Sequence, residues 1–173
     1  MELYIYKMDK SVPDVKYGTA DAACFDISAY LKYGDNLKAY SMTNDEMVVT
    51  VAQDDLGKDF IVVPGGWRVL IPTGLVLDIP QNHSVRVYPR SGMSTKKGLN
   101  LINSVGIIDS DYVEEVFVPV MNNSQDRLRI YHGDRIAQAE LVFNRQASLR
   151  YISDRPQRKS DRSGGFGSTG VSQ

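Results

Sequence analysis

The stretch from Tyr88 to Glu115, YPRSGMSTKKGLNLINSVGIIDSDYVEE, holds the densest set of residues that could act on an anion. Arg90, Ser91 and Gly92 follow a predicted strand in a tight turn. A guanidinium fork, a hydroxyl and unobstructed backbone N–H groups can converge there on one phosphate. Pro-Arg-Ser-Gly is also an ordinary turn sequence. The residues alone leave an anion site and a simple turn both open.

Two carboxylates follow shortly afterwards, in the segment GIIDSDY. Asp109 and Asp111 come directly after an apolar run, and residues at i and i+2 of a strand share a face. The two side chains are therefore candidates for acting together. Asp-Ser-Asp is also ordinary turn chemistry at the end of a buried strand, and the pattern by itself favours the turn.

The sequence ends in RSGGFGSTGVSQ, which is rich in glycine and hydroxyl side chains. Its backbone N–H groups, with the hydroxyls of Ser168 and Thr169, can wrap a phosphate. The segment is not a Walker A loop, because no lysine follows its glycines. A flexible linker needs no aromatic ring, whereas Phe166 would give a closing flap one flat surface to stack on a ligand.

The length and composition of the chain limit which classes of protein it can belong to. A chain of 173 residues of which 42% are hydrophobic fits one domain with one core. The formal net charge of -1 excludes a strongly basic nucleic-acid binder. The single cysteine, Cys24, fits a reducing compartment, and no stretch approaches the ~20 apolar residues that span a bilayer. We expect a cytoplasmic protein that binds neither nucleic acid nor membranes directly.

Most segments have the period of a strand and are interrupted by Gly, Pro, Asn and Asp, which predicts an all-β sandwich or barrel. One short helix is predicted over Ser91–Lys97. The predicted strands lie near Leu3–Lys7, Phe25–Tyr30, Met47–Ala52, Phe60–Val63, Arg68–Ile79, Ser84–Tyr88, Val105–Ile108, Val116–Val120, Arg127–Ile130, Ile136–Phe143 and Leu149–Ile152.

Two regions differ from this pattern. The segment from Tyr30 to Asp59 is polar and turn-rich around MVVTVA, which predicts an inserted surface element at about residues 30–59. Beyond Ile152 there are almost no large apolar residues, so that segment cannot order itself by burial. We therefore expect one domain over residues 1–152 and a flexible C-terminal arm over residues 153–173.

Taken together, five segments resemble the motifs of the trimeric dUTP diphosphatase (dUTPase) family, in the family's order along the chain. They are AACFDISAY around Asp26, PRSGMSTKKGL at Pro89–Leu99, NSVGIIDSDY at Asn103–Tyr112, GDRIAQAEL at Gly133–Leu141 and GGFGSTG at Gly164–Gly170. The segment VPGGWRVLIPTGL at Val63–Leu75 is similar to the family's segment between motifs one and two.

The resemblance implies a jelly-roll-like β-barrel that forms a homotrimer. The implied activity is Mg²⁺-dependent hydrolysis of dUTP to dUMP and pyrophosphate by water attack at the α-phosphate, which limits uracil in DNA and supplies dUMP for thymidylate synthesis. In this family three subunits build each active site, and the arm of one closes over a site formed by the other two. The insert suits a phage or viral member.

The resemblance also implies a role for each matching residue. Asp109 binds the sugar 3′-hydroxyl and positions the water, and the ring of Tyr112 packs under the deoxyribose and excludes a 2′-hydroxyl. Asp26 lies near Mg²⁺ without binding it directly. The remaining matches contact the substrate: Asn103, Gly106 and Ile107 the uracil, Arg90, Ser91, Gly92 and Gln138 the phosphates, and Arg162, Phe166, Gly167, Ser168 and Thr169 from the arm.

Some positions depart from the family or match none of its motifs. Arg162 lies two residues before Gly164, where the family has its arginine three residues before. Arg162 can still reach the terminal phosphate if the loop adjusts, and Arg158 and Lys159 are substitutes for that role. His83 and His132 match no motif and are expected at the surface. Cys24 and Trp67 are expected to pack.

Two other functions stay open. A regulatory protein could use the dUTPase scaffold and the insert at about residues 30–59 to hold a partner. A dCTP deaminase shares the fold and trimer, but its chemistry wants a glutamate after motif three, and VFVPVMN contains no carboxylate.

Overall fold

The structure is a computed structural model that describes residues 1–161. These residues form fifteen strands and one short helix. The strands are β1 (Tyr4–Lys7), β2 (Lys16–Tyr17), β3 (Phe25–Ser28), β4 (Asn36–Tyr40), β5 (Glu46–Thr50), β6 (Ala52–Gln53), β7 (Asp59–Val63), β8 (Arg68–Pro72), β9 (Leu75–Asp78), β10 (His83–Pro89), β11 (Leu99–Leu101), β12 (Gly106–Asp109), β13 (Phe117–Asn122), β14 (Leu128–Tyr131) and β15 (Arg135–Phe143), and the helix is α1 (Ser91–Lys97).

The strands pair antiparallel in four sheets. Two five-stranded sheets have the orders β12-β10-β15-β3-β2 and β11-β13-β8-β4-β5, and smaller sheets have the orders β14-β7-β6 and β1-β9. Among the described residues the ladders stay open and do not close into one ring. The prediction of an all-β fold is confirmed.

Alternation along the strands places the core between the sheets. In β13, Val118 and Val120 are fully buried, whereas Phe117, the first residue of the strand, is exposed. In β10, Val85 and Val87 are buried in the same way. Their neighbours Arg86 and Tyr88 therefore lie on the outer face of that sheet, which is polar and carries part of the candidate site.

The predicted helix over Ser91–Lys97 is confirmed. Arg90 precedes it with extended backbone, and Gly98 ends it in the left-handed conformation at φ 67°, which glycine adopts without strain. Lys96 and Lys97 lie in its last turn, where positive charge is favourable. This short helix holds Ser91 and Gly92 directly beside Arg90.

Gly74 divides the long strand that was predicted over Arg68–Ile79. Its φ is +66°, and a Cβ there would lie 2.4 Å from Cγ2 of Val12 and 2.8 Å from the Tyr30 ring. The chain turns at this point, so β8 pairs with β13 and β4 whereas β9 pairs with β1. The prediction of one continuous strand was wrong because an alternating pattern does not show where backbone leaves a sheet.

The expectation that residues 30–59 form only a surface excursion is wrong for β4 and β5. β4 pairs with β8 in a five-stranded sheet, with Ala39 opposite Val69. Ala39, Val49 and Val51 are buried in the main core. Tyr33, Met42 and Val48 do remain exposed, so the segment is surface-facing on one side only.

The last strand ends at Phe143, and the predicted strand over Leu149–Ile152 is absent from the structure. Leu149 and Tyr151 are almost fully exposed, because their apolar side chains meet no core within this chain. The strands β2, β4 and β11 were missed, and the predicted strand Met47–Ala52 merged β5 with the start of β6. Within residues 1–161, no helix is long and apolar enough to cross a membrane.

Candidate active site

A cavity of about 350 Å³ gathers the residues of the predicted motif three. Asn103, Gly106, Ile107, Asp109 and Tyr112 all line it. The opposite wall is apolar and comes from the sheet that contains β8, β11 and β13: Leu70, Leu101, Phe117 and Pro119. The cavity thus combines an apolar floor with convergent polar groups, which is the usual composition of a small-molecule site.

The turn between β11 and β12 shapes the mouth of this cavity and carries the chain from one five-stranded sheet to the other. Ser104 has φ 61°, its N–H donates to the carbonyl of Leu101, and the N–H of Val105 donates to the carbonyl of Asn103 over 2.6 Å. Gly106 then pairs with Val87 in β10. A Cβ on Gly106 would lie 3.3 Å from Cβ of Val87 and 3.5 Å from Nδ2 of Asn103, so glycine lets this turn lie close against the sheet.

Asp109 and Tyr112 belong to one turn at the end of β12. The Tyr112 N–H donates to the Asp109 carbonyl over 3.1 Å, and the Tyr112 hydroxyl donates to the Glu115 carbonyl over 2.8 Å. Glu115 is fixed in turn by the N–H of Gly74, which donates to its Oε1. These bonds fix the turn and the position of the Tyr112 ring, so both side chains project from one defined turn.

A second group of predicted residues surrounds Asp26 on β3. Nε of Arg90 lies 2.7 Å from Oδ1 of Asp26, and Nη1 of Arg135 lies 2.9 Å from Oδ2. Nη1 of Arg90 also donates to the backbone carbonyl of Arg135 over 3.0 Å. Motifs one, two and four therefore meet at one ion-pair network.

Gln138 joins this second group through the sheet. It lies opposite Asp26 on one side and Tyr88 on the other, and directly opposed residues share a face. Its Nε2 donates to the carbonyl of Pro89 over 3.0 Å, which fixes the turn that leads into Arg90. A Cβ on Gly92 would meet nothing within 4 Å, so the surface over the start of α1 is open to a ligand.

Two side chains, those of Tyr88 and Cys24, have a raised pKa for different reasons. The Tyr88 hydroxyl donates to Oε1 of Glu140 over 2.6 Å, and this hydrogen bond raises the pKa of Tyr88. Partial burial raises the pKa of the Cys24 thiol, with smaller contributions from the carboxylates of Glu140 and Asp26. Cys24 is thus kept in its unreactive, protonated form.

The predicted residues fall into two separate groups within the described chain. The cavity contains Asn103, Gly106, Ile107, Asp109 and Tyr112, whereas Asp26, Arg90, Ser91, Gly92 and Gln138 do not line it. One group suits a nucleoside and the other suits an anion.

Comparisons with known proteins show which family the chain belongs to. A family model described as dUTPase matches residues 55–170, which includes both the cavity and the Arg90 turn. The chain belongs to the dUTPase family. A deoxyuridine 5'-triphosphate nucleotidohydrolase of Roseobacter denitrificans is 40% identical over 162 residues, covering 94% of this chain and 90% of that relative.

Solved structures of dUTPases share the fold. The dUTPase of Staphylococcus bacteriophage 80alpha, solved as a variant with dUpNHpp, superposes with a TM-score of 0.72 at 19% identity and covers 98% of this chain and 99% of its own. A variant dUTPase of phage phi11 of S. aureus, whose structure describes a structural Mg(II) ion, gives a TM-score of 0.68 at 16% identity and covers 91% and 100%. Both neighbours are phage dUTPases.

Sequence reasoning missed Arg135. This residue lies in GDRIAQAEL, but only Gln138 of that motif was given a role. The available signal was a guanidinium in a motif that the resemblance already expected to contact phosphate. Its partner Asp26 lies 109 residues away in sequence, and no local pattern joins the two.

The histidines have structural roles that were not foreseen. His83 is buried and not at the surface, with its ring against Phe143 and its Nδ1 2.8 Å from the carbonyl of Gln81. Nδ1 of His132 accepts the N–H of Leu31 over 3.1 Å. The predictions for Arg162, Phe166, Gly167, Ser168 and Thr169 fall outside the described residues.

Proposed function

We propose that the protein hydrolyses dUTP to dUMP and pyrophosphate by attack of a water molecule on the α-phosphate. The observation that carries the proposal is the cavity that brings Asn103, Asp109 and Tyr112 together. Its volume of about 350 Å³ suits one nucleoside. The reaction itself is inferred from membership of the dUTPase family.

The side of the cavity formed by β12 and the turn before it suits recognition of uracil. β12 pairs with β10 alone among the described strands, so the backbone N–H and C=O groups on its other edge remain available. At Gly106 and Ile107 these groups can pair with the polar edge of the base, beside the amide of Asn103. A different base would leave buried hydrogen-bonding groups unpaired, which is the strong kind of discrimination.

Asp109 and Tyr112 act on the sugar and on the water. Asp109 ends β12 with an exposed carboxylate, which can accept hydrogen bonds from the 3′-hydroxyl and from the attacking water. The Tyr112 ring, tethered through its hydroxyl to Glu115, would lie against C2′ of the deoxyribose. A ribose 2′-hydroxyl would then meet the ring.

The group around Arg90 suits the triphosphate. Arg90 offers a guanidinium fork, Ser91 a hydroxyl, and Gly92 an open backbone, all within one turn. Gln138 holds that turn through Pro89 and leaves its Oε1 and second amide hydrogen for the ligand side. These groups would neutralise the charge that develops as the α–β bond breaks.

The residues fit Mg²⁺ held by the triphosphate, with Asp26 contacting it only through water. Mg²⁺ bound to phosphate oxygens neutralises their charge and keeps most of its hydration shell. Within residues 1–161 no group of three or more His, Cys, Asp and Glu side chains could cage a metal. Both oxygens of Asp26 accept arginine N–H groups, yet each retains a lone pair for a water of that shell.

We also propose that the protein acts as a homotrimer whose sites are shared between subunits. The separation of the nucleoside group from the phosphate group supports this, because a second copy would bring one group to face the other. Residues 1–152 would form the catalytic domain. Residues 153–173 would form an arm that closes over the nucleotide with Arg162, Phe166, Gly167, Ser168 and Thr169.

Two further points rest on specific residues. Cys24 is a free thiol, which supports action in the cytoplasm of the cell or of an infected host.

Tyr33, Met42 and Val48 are exposed on the segment at about residues 30–59, which supports contact with a protein partner as a second function. A substitution such as Val48→Lys that abolished partner capture and kept hydrolysis would separate the two functions.

Pyrophosphate release from dUTP, dTTP, dCTP and UTP, with and without Mg²⁺, tests the proposed function. We expect release from dUTP far above the other three, and a strong decrease when Mg²⁺ is removed. Equal rates on all four nucleotides would contradict the proposal. Ammonia release from dCTP would favour a deaminase instead.

A further inference from the structure

Arg135 contacts both of the residues that prepare the phosphate side of the site. Its Nη1 lies 2.9 Å from Oδ2 of Asp26, and its backbone carbonyl accepts Nη1 of Arg90 over 3.0 Å. Arg90 completes the triangle with 2.7 Å from its Nε to Oδ1 of Asp26. One residue thus fixes a carboxylate with its side chain and a guanidinium with its backbone.

The local backbone explains how Arg135 reaches both partners. The pairing of β15 with β3 shifts register between Arg135 and Ala137, and such an irregularity bends a strand and re-aims a side chain. The preceding turn is fixed by the N–H of Tyr131, which donates to Oδ2 of Asp134. Arg135 therefore begins its strand in a defined position.

The charges decide what this contact does. The side chain of Asp26 is only 16% exposed and that of Arg90 only 25% exposed. An isolated Asp26–Arg90 pair would be neutral, and the carboxylate would hold Nε of Arg90 without competition. With Arg135 the group carries one net positive charge, and Asp26 divides its attraction between two guanidinium groups.

The orientation of Arg90 is also determined. Its Nε and Nη1 are both engaged, by Asp26 and by the Arg135 carbonyl. Among residues 1–161 its Nη2 has no hydrogen-bond acceptor. This leaves one end of the fork for an anionic ligand, and a planar fork held at two points is oriented at the third.

We propose that Arg135 is a positioning residue for triphosphate binding: it shares the charge of Asp26 and anchors Arg90, so that Nη2 of Arg90 is presented to a substrate phosphate. This role rests on the proposed dUTP hydrolysis and concerns the phosphate half of the substrate alone. The nucleoside cavity has no contact with Arg135 and should not sense its loss.

The test compares Arg135→Met, which removes the charge, with Arg135→Lys, which keeps it. For each protein, KM and kcat for dUTP are measured together with the inhibition constants of dUDP and of 2′-deoxyuridine. We expect Arg135→Met to raise KM for dUTP and the inhibition constant of dUDP by roughly tenfold. The inhibition constant of 2′-deoxyuridine should stay within about twofold, and Arg135→Lys should recover part of the loss.

A double mutant separates positioning from direct phosphate contact. If Arg135 acts through Asp26 and Arg90, Asp26→Asn combined with Arg135→Met costs little more than Asp26→Asn alone. Additive effects would overturn the proposal in favour of independent contact. Arg127→Met, on an exposed loop, is the matched control and should bind both inhibitors normally.

Three results would overturn the role of Arg135: an unchanged KM in Arg135→Met, additive effects with Asp26→Asn, or equal weakening of 2′-deoxyuridine and dUDP. The last result would indicate a general structural role. The proposed function fails separately, if the unmodified protein releases no pyrophosphate from dUTP.

Discussion

The N–H of Tyr112 donates to the carbonyl oxygen of Asp109 over 3.1 Å, so the proposed water-orienting carboxylate and the proposed sugar-packing ring belong to one turn. The Tyr112 hydroxyl donates to the Glu115 carbonyl over 2.8 Å, which holds the far end of the ring. The turn thus sets the backbone positions of both residues in the absence of a ligand, and such alignment can contribute to rate.

Asp109→Asn should abolish turnover and retain binding. The amide keeps the size of the side chain and a hydrogen-bonding oxygen, but it cannot take a proton from water. We expect pyrophosphate release from dUTP to fall at least about a hundredfold. Calorimetric titration with dUTP should still show binding, and a nearly unchanged rate would remove Asp109 from its proposed role.

Tyr112→Ala should weaken discrimination against UTP. Removing the ring opens space for a 2′-hydroxyl, so the ratio of kcat/KM for dUTP to that for UTP should fall by roughly tenfold or more. Tyr112→Phe is the matched control, since it keeps the ring and loses only the hydrogen bond to Glu115. If both variants kept the full ratio, the ring would have no part in sugar selection.

Mixing two inactive variants should restore activity. Asp109→Asn lacks the proposed catalytic carboxylate, and a chain that ends at residue 161 lacks the part of the arm that contains Arg162 and Phe166. In mixed trimers some sites would take Asp109 from one subunit and the arm from another. Each variant should be inactive alone, and co-refolding should recover part of the pyrophosphate release. No recovery in verified mixed trimers would show that each chain completes its own site.

Gly74→Ala should destabilise the fold. The new Cβ would overlap Val12 and Tyr30 in a left-handed backbone, which is expected to lower the free energy of unfolding by about 2–4 kcal/mol. Gly57→Ala provides the control, because Gly57 has φ +73° with nothing within 4 Å and should lose only about 1 kcal/mol. Urea titration of both variants measures the difference, and equal losses would contradict the packing argument.

Cys24 should react slowly with thiol reagents. Burial, then the nearby carboxylates, raises its pKa, so less thiolate is present at neutral pH than in a free cysteine. The rate of labelling by a disulfide reagent should therefore lie below that of an unstructured cysteine peptide at pH 8, and should keep rising at higher pH. Labelling faster than the peptide would contradict this environment.

The sequence predicted the helix over Ser91–Lys97 well, because proline, arginine and glycine mark its boundaries locally. The grouping of Asn103, Asp109 and Tyr112 followed from the family resemblance, while the local pattern alone favoured a plain turn. The apolar wall that completes the cavity comes from β8, β11 and β13. Asp109 and Tyr112 are three residues apart, so their relation is local.

The parts that were missed depend on distant partners. β4 escaped because NLKAY alternates only weakly, and its place in the sheet depends on β8. Arg135 escaped because its carboxylate lies on β3. The strand over Leu149–Ile152 had the right composition for a strand, but composition does not supply a sheet to join. Arg162 and the arm stay predictions.

The position of β4 and β5 determines how this protein can change during evolution. Because Ala39 and Val49 face the core while Lys38 and Val48 face outward, deleting the hairpin would remove part of the folding unit along with any recognition surface. Every second residue can vary without disturbing the catalytic domain. Sequence differences between relatives with different partners should therefore concentrate at every second position of these two strands, and the positions between them should stay constant.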